Sequence, residues 1–135
     1  MRDDLPQIVA AAKEAGCRYV QLNTNGVRLG EDLGYVQQLA EAGLSFVFMQ
    51  FDGYTNDEIY RALRGRDLLE IKQKAIENCG RYNLGVTLVP TIVPQINTQD
   101  IGNILRFAVS QPPGGTGCAL STSQLFRTHS VATVR

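Results

Sequence analysis

The chain has one histidine, His129, and three cysteines, Cys17, Cys79 and Cys118, in 135 residues. A lone histidine near the carboxyl end gives poor support to a His-based triad or a multi-histidine metal site. The cysteine spacings match neither a disulfide framework nor a zinc motif, so Cys17 and Cys79 are expected to be buried intracellular thiols. Neither sign of charge prevails, with 13 Lys and Arg against 13 Asp and Glu. Without a basic excess to neutralise phosphates, no nucleic-acid partner is expected. No apolar run approaches the ~20 residues that a membrane span needs. No charged segment precedes an apolar stretch in the manner of a secretory signal, so the expected location is cytoplasmic. Phosphate-cradling loops are absent as well, since neither G-x-G-x-x-G nor the P-loop pattern occurs.

What is present is alternation of two periodicities. Asp3 or Asp4 with Pro6 reads as a helix start, Ile8, Val9, Ala12 and Ala15 recur at helical spacing, and Gly16 ends the run. Arg18 to Leu22 reads as a strand, and Glu31 to Ala42 as a helix with Leu33, Val36, Leu39 and Ala40 on one face. "LSFVFMQF", Leu44 to Phe51, is nearly all apolar, which predicts a strand buried on both faces. After the turn "DGYTND", Thr55 or Asn56 is expected to cap a short helix. Asp67 is expected to cap a longer one along Leu68, Lys72, Ala75, Ile76 and Cys79, from which Lys72 would have to snorkel or turn outward. Leu84 to about Val89 reads as a third buried strand ending at Pro90, and Thr98 or Asp100 caps a last helix through Ile101, Ile104, Leu105 and Ala108. The order α-β-α-β-α-α-β-α predicts an α/β domain with a parallel sheet and flanking helices.

In such sheets ligands bind beyond the carboxyl ends of the strands. The first strand ends in Asn23, Thr24, Asn25 and Gly26, the second in Gln50, Asp52 and Gly53, the third in Thr91, Gln95 and Asn97. Asn-Gly and Asp-Gly are ordinary turn formers, and each cluster alone reads as a turn. Three polar clusters at one edge of one sheet instead suggest a site for a polyhydroxylated or zwitterionic small molecule.

The ordered run "RDDLPQIV…QLNTNGVRL…FMQFDG…LRGRDLLEIK…AIENC…LVPTIV…IN…IGNILRFA" resembles the radical S-adenosylmethionine enzymes over roughly residues 2–110. Its look is that of an Fe–S oxidoreductase branch with pterin methylases and tetraether lipid-coupling enzymes. The resemblance implies strands 3–5 of a partial (β/α)₆, TIM-like barrel. It implies a 4Fe–4S cluster on a Cys-x-x-x-Cys-x-x-Cys loop that binds S-adenosylmethionine and yields a 5′-deoxyadenosyl radical, which modifies an unactivated carbon of a small-molecule substrate. Carried onto this chain, it implies that Asn23, Thr24 and Asn25 line the cofactor site. It further implies that Gln50 and Asp52 meet the ribose hydroxyls, that residues 89–93 pack near adenine, and that Thr91 and Asn97 add polar contacts. Molybdenum-cofactor-type cyclases and peptide-maturing radical enzymes share the barrel, and a non-catalytic remnant or a piece of an ordinary (β/α)₈ enzyme are the rival readings.

The chain departs from that family pattern at both ends. It contains no Cys-x-x-x-Cys-x-x-Cys loop, and the family's Gly-Gly-Glu-Pro stretch would fall immediately before "RDDL", where Met1 stands. A GTG valine codon read as a start would account for Met1. Three thiolates are needed to hold the cluster in the family's way, so the isolated chain is expected to be inactive. After residue 110 the sequence becomes "QPPGGTGCALSTSQLFRTHSVATVR", expected to be an irregular, disordered tail. Back-translated with free synonymous choice and shifted forward one base, Gly114 to His129 admits a run containing "GVHFQPVSYFGR", close to the family's next strand. On that reading residues 111–135 are a frameshift product, Cys118, Arg127, His129 and Arg135 carry no function, and the third strand keeps a bare edge.

Overall fold

The computed structural model describes residues 3–55 and 57–110, together with the backbone of residues 118–120. The elements in chain order are α1 (Leu5–Glu14), β1 (Gln21–Thr24), α2 (Val27–Glu31), α3 (Leu33–Glu41), β2 (Phe46–Gln50), α4 (Glu58–Arg64), α5 (Leu69–Arg81), β3 (Gly85–Val89), a 3₁₀ turn (Thr98–Asp100), α6 (Ile101–Ser110) and β4 (Cys118–Leu120). The described strands are all parallel and lie in the order β1-β2-β3-β4. Sequential order without a reversal is the arrangement of a barrel arc, whereas a doubly wound sheet reverses at a switch point.

Side chains alternate across a strand, so register decides which residues share a face. Leu22, Val47 and Val86 form one row, and Thr24, Met49 and Leu88 the next. Val47, Met49, Val86 and Leu88 are buried among Leu29, Val36, Leu39, Ala75, Ile76 and Cys79 from the helices. The opposite face carries Gln21, Asn23, Phe46, Phe48, Gln50, Thr87 and Val89, all half-buried or exposed. "LSFVFMQF" is therefore not buried on both faces. Among the described residues no second layer covers that side, and Phe46 and Phe48 meet there with ring centroids 5.6 Å apart.

Other boundaries also move. The first strand lies at Gln21–Thr24 rather than at 18–22. The helix expected over 31–42 is α3, which starts two residues later because Asp32 breaks out to φ −132° and its carboxylate accepts the Tyr35 amide at 3.0 Å. A short helix that was not expected, α2, precedes it. Ile8, expected to face inward, is exposed, and α1 buries Pro6 and Val9. Asp67 does not cap α5 but pairs with Arg61. The α5 amides of Leu68 and Leu69 donate to the Asp57 carboxylate at 2.7 and 2.9 Å. Cys79 is buried as expected, but Cys17 is exposed, since Gly16 ends α1 at φ +96° and turns the chain out into solvent before β1.

The region expected to be an irregular tail contains β4, which pairs with β3 in the register Val86↔Cys118 to Leu88↔Leu120. The open edge of β3 offers unpaired backbone groups, and a short segment of small and apolar residues takes them, so that edge is not bare. Arg127, His129 and Arg135, and most of the proposed frameshifted run, lie outside the described residues. No described helix is long and apolar enough to cross a membrane.

Helices α2 and α5 approach so closely that a Cβ on Gly30 would collide with the Ile71 carbonyl oxygen, whereas one on Gly102 in α6 would meet nothing within 4 Å. Gly30→Ala is expected to destabilise the fold by about 1–3 kcal/mol through overpacking. Gly102→Ala should stabilise it by about 0.5–1 kcal/mol through helix propensity. Urea unfolding of the two variants beside the parent chain checks both; equal effects would contradict the packing.

Candidate functional site

Register brings the three polar clusters to one edge. Asn23 stands level with Phe48 and Thr87, and Gln50 with Val89, on the uncovered face. Asn23 is exposed and Gln50 half-buried there. Thr24 falls on the opposite, helix-covered side, and its hydroxyl accepts the Gly26 amide at 3.1 Å. Asn25 is exposed, and its side-chain oxygen accepts the Val27 amide at 3.1 Å at the start of α2. Gly26 itself is left-handed at φ +81°, and a Cβ there would strike the Met49 sulfur. The "NTNG" stretch is thus a built turn that leaves Asn23 as the side chain on the open face.

Asp52 and Asn97, read from the sequence as ligand contacts, are instead buried and committed to the protein. Asp52 Oδ2 accepts from Arg64 Nε and Nη2, both at 3.0 Å, and Oδ1 accepts the Thr91 amide at 2.9 Å. Asn97 Nδ2 donates to the Asp52 carbonyl at 3.0 Å and the Thr91 carbonyl at 2.7 Å, while Oδ1 accepts the Val93 amide at 2.8 Å. These contacts tie the loop after β2 to the loop after β3. Thr91 remains half-buried at that junction.

Sequence reasoning missed the groups that brace this edge. Lys72 of α5 neither snorkels nor turns outward: it is wholly buried, and its Nζ donates to the carbonyls of Asn25, at 2.8 Å, and Gln50. The Tyr60 ring centroid lies 5.5 Å from that nitrogen, and the Tyr60 hydroxyl donates to the Gly53 carbonyl at 2.8 Å. Burial lowers the Lys72 ammonium to about 8, against the opposing pull of Asp52. Burial likewise pushes the Tyr60 phenol up.

Asp100 does not cap α6 with its side chain but reaches back to the loop after β2. It accepts the Tyr54 and Thr55 amides at 2.6 and 3.1 Å, and hydrogen bonds from the Thr55 hydroxyl and Asn103. Burial opposes its ionisation, but the donors from Thr55, Asn103 and Tyr54 outweigh it and hold the carboxyl below the usual range. The Phe107 ring stacks on both Phe51 and Tyr54, at 5.7 and 4.8 Å, and completes the clasp. One signal was legible: a lysine on the apolar stripe of a helix needs carbonyl or carboxylate partners if it stays inside.

An iron–sulfur cluster does not fit the described residues, which contain no group of three metal-ligating side chains. Cys17 precedes β1, at the edge away from the polar clusters, and Cys79 is enclosed by the helical core. The accessible uncharged donors and acceptors of Asn23, Gln50 and Thr91 do suit a small polar organic molecule.

Parallel strands in sequential order with flanking helices define the class of architecture as a partial (β/α) barrel. The chain belongs to the radical SAM superfamily, which it matches over residues 1–108. It is 44% identical over 109 residues to the 7,8-dihydro-6-hydroxymethylpterin dimethyltransferase of Methanocaldococcus jannaschii, covering 80% of this chain and 21% of that protein. It is 36% identical over 103 residues to the Fe-coproporphyrin III synthase of Methanosarcina barkeri, covering 75% and 24%. Against a probable GTP 3′,8-cyclase of Methanothermobacter thermautotrophicus it is 30% identical over 131 residues, covering 96% and 40%. The chain therefore spans between about a fifth and two fifths of the length of these relatives.

The buried contacts generate two expectations. Asp52→Ala leaves Arg64 and the Thr91 amide without their carboxylate. It should cost about 3 kcal/mol, the low end for a broken buried pair because Arg64 keeps some contact with water. Urea unfolding measures this, and a loss below about 1 kcal/mol would mean that the pair does not brace the edge. Lys72 loses its proton near pH 8 when folded, but only above 10 when unfolded. Below about pH 8 both states are protonated and the cost of the buried charge is fully present. Between about 8 and 10.5 the unfolded state binds more protons, so stability should rise with pH, by up to about 3 kcal/mol. Subtracting the pH–stability curve of Lys72→Met isolates this rise; a flat difference would contradict it.

Proposed function

We propose that this chain is the S-adenosylmethionine-cradling segment, strands 3–5, of a radical SAM enzyme, with Asn23, Gln50 and Thr91 as the direct cofactor contacts. The observation that carries the reading is the coincidence of family membership over residues 1–108 with an accessible polar edge on the uncovered face of the sheet. The relatives named above take their names from a pterin, a porphyrin and GTP. Their common stretch is better assigned to the shared cofactor than to any one substrate.

On this reading Thr24, Asn25, Asp52 and Asn97 support the site from behind. The 4Fe–4S cluster is held by a segment other than the described residues, and the chain alone does no radical chemistry. The complete enzyme would act in the cytoplasm on an unactivated carbon of a pterin- or lipid-like small molecule, by methylation or coupling. The 44% identity to the pterin dimethyltransferase favours the pterin-like substrate.

Equilibrium dialysis of the purified chain against labelled S-adenosylmethionine tests the assignment. Saturable binding is expected, weakened about fivefold by Asn23→Ala or by Gln50→Ala, the equivalent of about one net hydrogen bond each. Absence of saturable binding, or binding indifferent to both substitutions, would overturn it.

A further inference from the structure

A buried lysine is costly, and one placed under a ligand edge needs a reason beyond stability. An apolar residue at position 72 would continue the stripe formed by Ala75, Ile76 and Cys79 and avoid the desolvation of a charge. Instead α5 sends an ammonium group to two carbonyls that belong to different strands. Asn25 follows the last ladder residue of β1, and Gln50 is the last residue of β2. One carbonyl is that of Gln50 itself, and the other lies two residues after Asn23, so both adjoin open-face polar residues near the carboxyl edge. The approach is enforced from both sides. Gly26 admits the Met49 side chain where a Cβ would collide, and Gly30 lets α2 lie directly on the α5 backbone.

We propose that Lys72 is a positioning residue of the cofactor edge: its ammonium clamps the ends of β1 and β2 together through the Asn25 and Gln50 carbonyls, and so sets the spacing of Asn23 and Gln50 across the open face. The clamp rests on the S-adenosylmethionine reading for its ligand but not for its mechanics. A lysine ammonium supplies three donors on a compact point charge. Two of them are used by the carbonyls, with the face of Tyr60 nearby. The charged and titratable groups around it are Asp52 in the loop after β2 and Arg64 and Tyr60 of α4. Asp52 and Arg64 answer each other's charge. Helix α2, also packed on α5, presents Leu29 and Gly30 there, and its Arg28 is engaged with Asp3 and the Tyr35 ring.

The test separates the clamp from the ligand. Amide hydrogen exchange is measured on the 135-residue chain, on Lys72→Met and on Lys72→Arg, alongside S-adenosylmethionine binding. Lys72→Met should speed exchange at Gly26, Val27 and Phe51 at least tenfold while α6 stays protected, and should weaken cofactor binding at least tenfold. Lys72→Arg, which keeps a charged donor, should recover part of both. Local loosening with unchanged cofactor affinity would overturn the positioning role and leave Lys72 a structural lysine. Unchanged exchange at the strand ends would overturn the clamp itself. If the parent chain binds no S-adenosylmethionine, the functional reading fails, while the exchange data still decide the clamp. Should Lys72→Met not fold, carbonyl ¹³C shifts of Asn25 and Gln50 in the unaltered chain take its place. They should titrate together with the Lys72 side chain, and independent or absent titration would overturn the proposal.

Discussion

Parallel strands lose their hydrogen-bonding partners at the edge where a barrel protein binds its ligand. Backbone amides and carbonyls there must be satisfied by something other than the ladder, or they cost free energy when buried. In this protein buried side chains provide that satisfaction from behind. Lys72 serves the carbonyls of Asn25 and Gln50, Asp52 serves the Thr91 amide, Asn97 serves the carbonyls of Asp52 and Thr91, and Asp100 serves the amides of Tyr54 and Thr55. The loops after β2 and β3 consequently form one braced unit, with Phe107 of α6 stacked across it. Any site on that edge inherits its geometry from these buried groups.

The periodicities made the architecture legible. The α5 stripe, the β3 strand and Ile104 and Ala108 of α6 lie where helical and strand spacing put them, whereas Leu105, expected to face inward with them, is exposed. The failures have local causes. Asp32 reads as one more polar residue inside a helix, but its carboxylate accepts the Tyr35 amide and makes it the cap from which α3 begins. Asp67 was a plausible cap until Asp57, ten residues earlier in the chain, reached the same amides through the fold. Such competition between caps is decided by tertiary position, which spacing does not encode.

The candidate site was legible as an edge but not as a set of side chains. Asn, Asp and Thr serve equally well to satisfy buried backbone and to meet a ligand, because both tasks need short, polar, hydrogen-bonding groups. Burial separates them. Asp52 and Asn97 lie inside, and Asn23 is exposed on the uncovered face. The resemblance to the radical enzymes ran along the same residues without distinguishing the two roles. Lys72 escaped for the opposite reason: a charged residue on an apolar stripe is ordinarily expected to lead its charge outward, and only the placement of two carbonyls above α5 makes the inward course favourable.

The apolar run of β2 contains one further piece of physics. A strand that reads as apolar on both faces but is enclosed on one retains a driving force for cover on the other. Phe46 and Phe48, paired on the open side, and Val89 beside them keep apolar surface in water, at about 25 cal/mol for each Å² left exposed. In a barrel that face is the interior, filled by side chains from the other strands and by whatever the barrel encloses. On the same face Gln50 ends β2 and Asn23 lies one residue before the end of β1, while Thr87 sits in the middle of β3 and Gln21 at the amino end of β1. Within β2 itself the apolar rings of Phe46 and Phe48 precede the terminal Gln50, so an apolar floor gives way to a hydrogen-bonding group at the carboxyl edge, which accounts for why one strand can be both the most hydrophobic of the described strands and the one that carries Gln50.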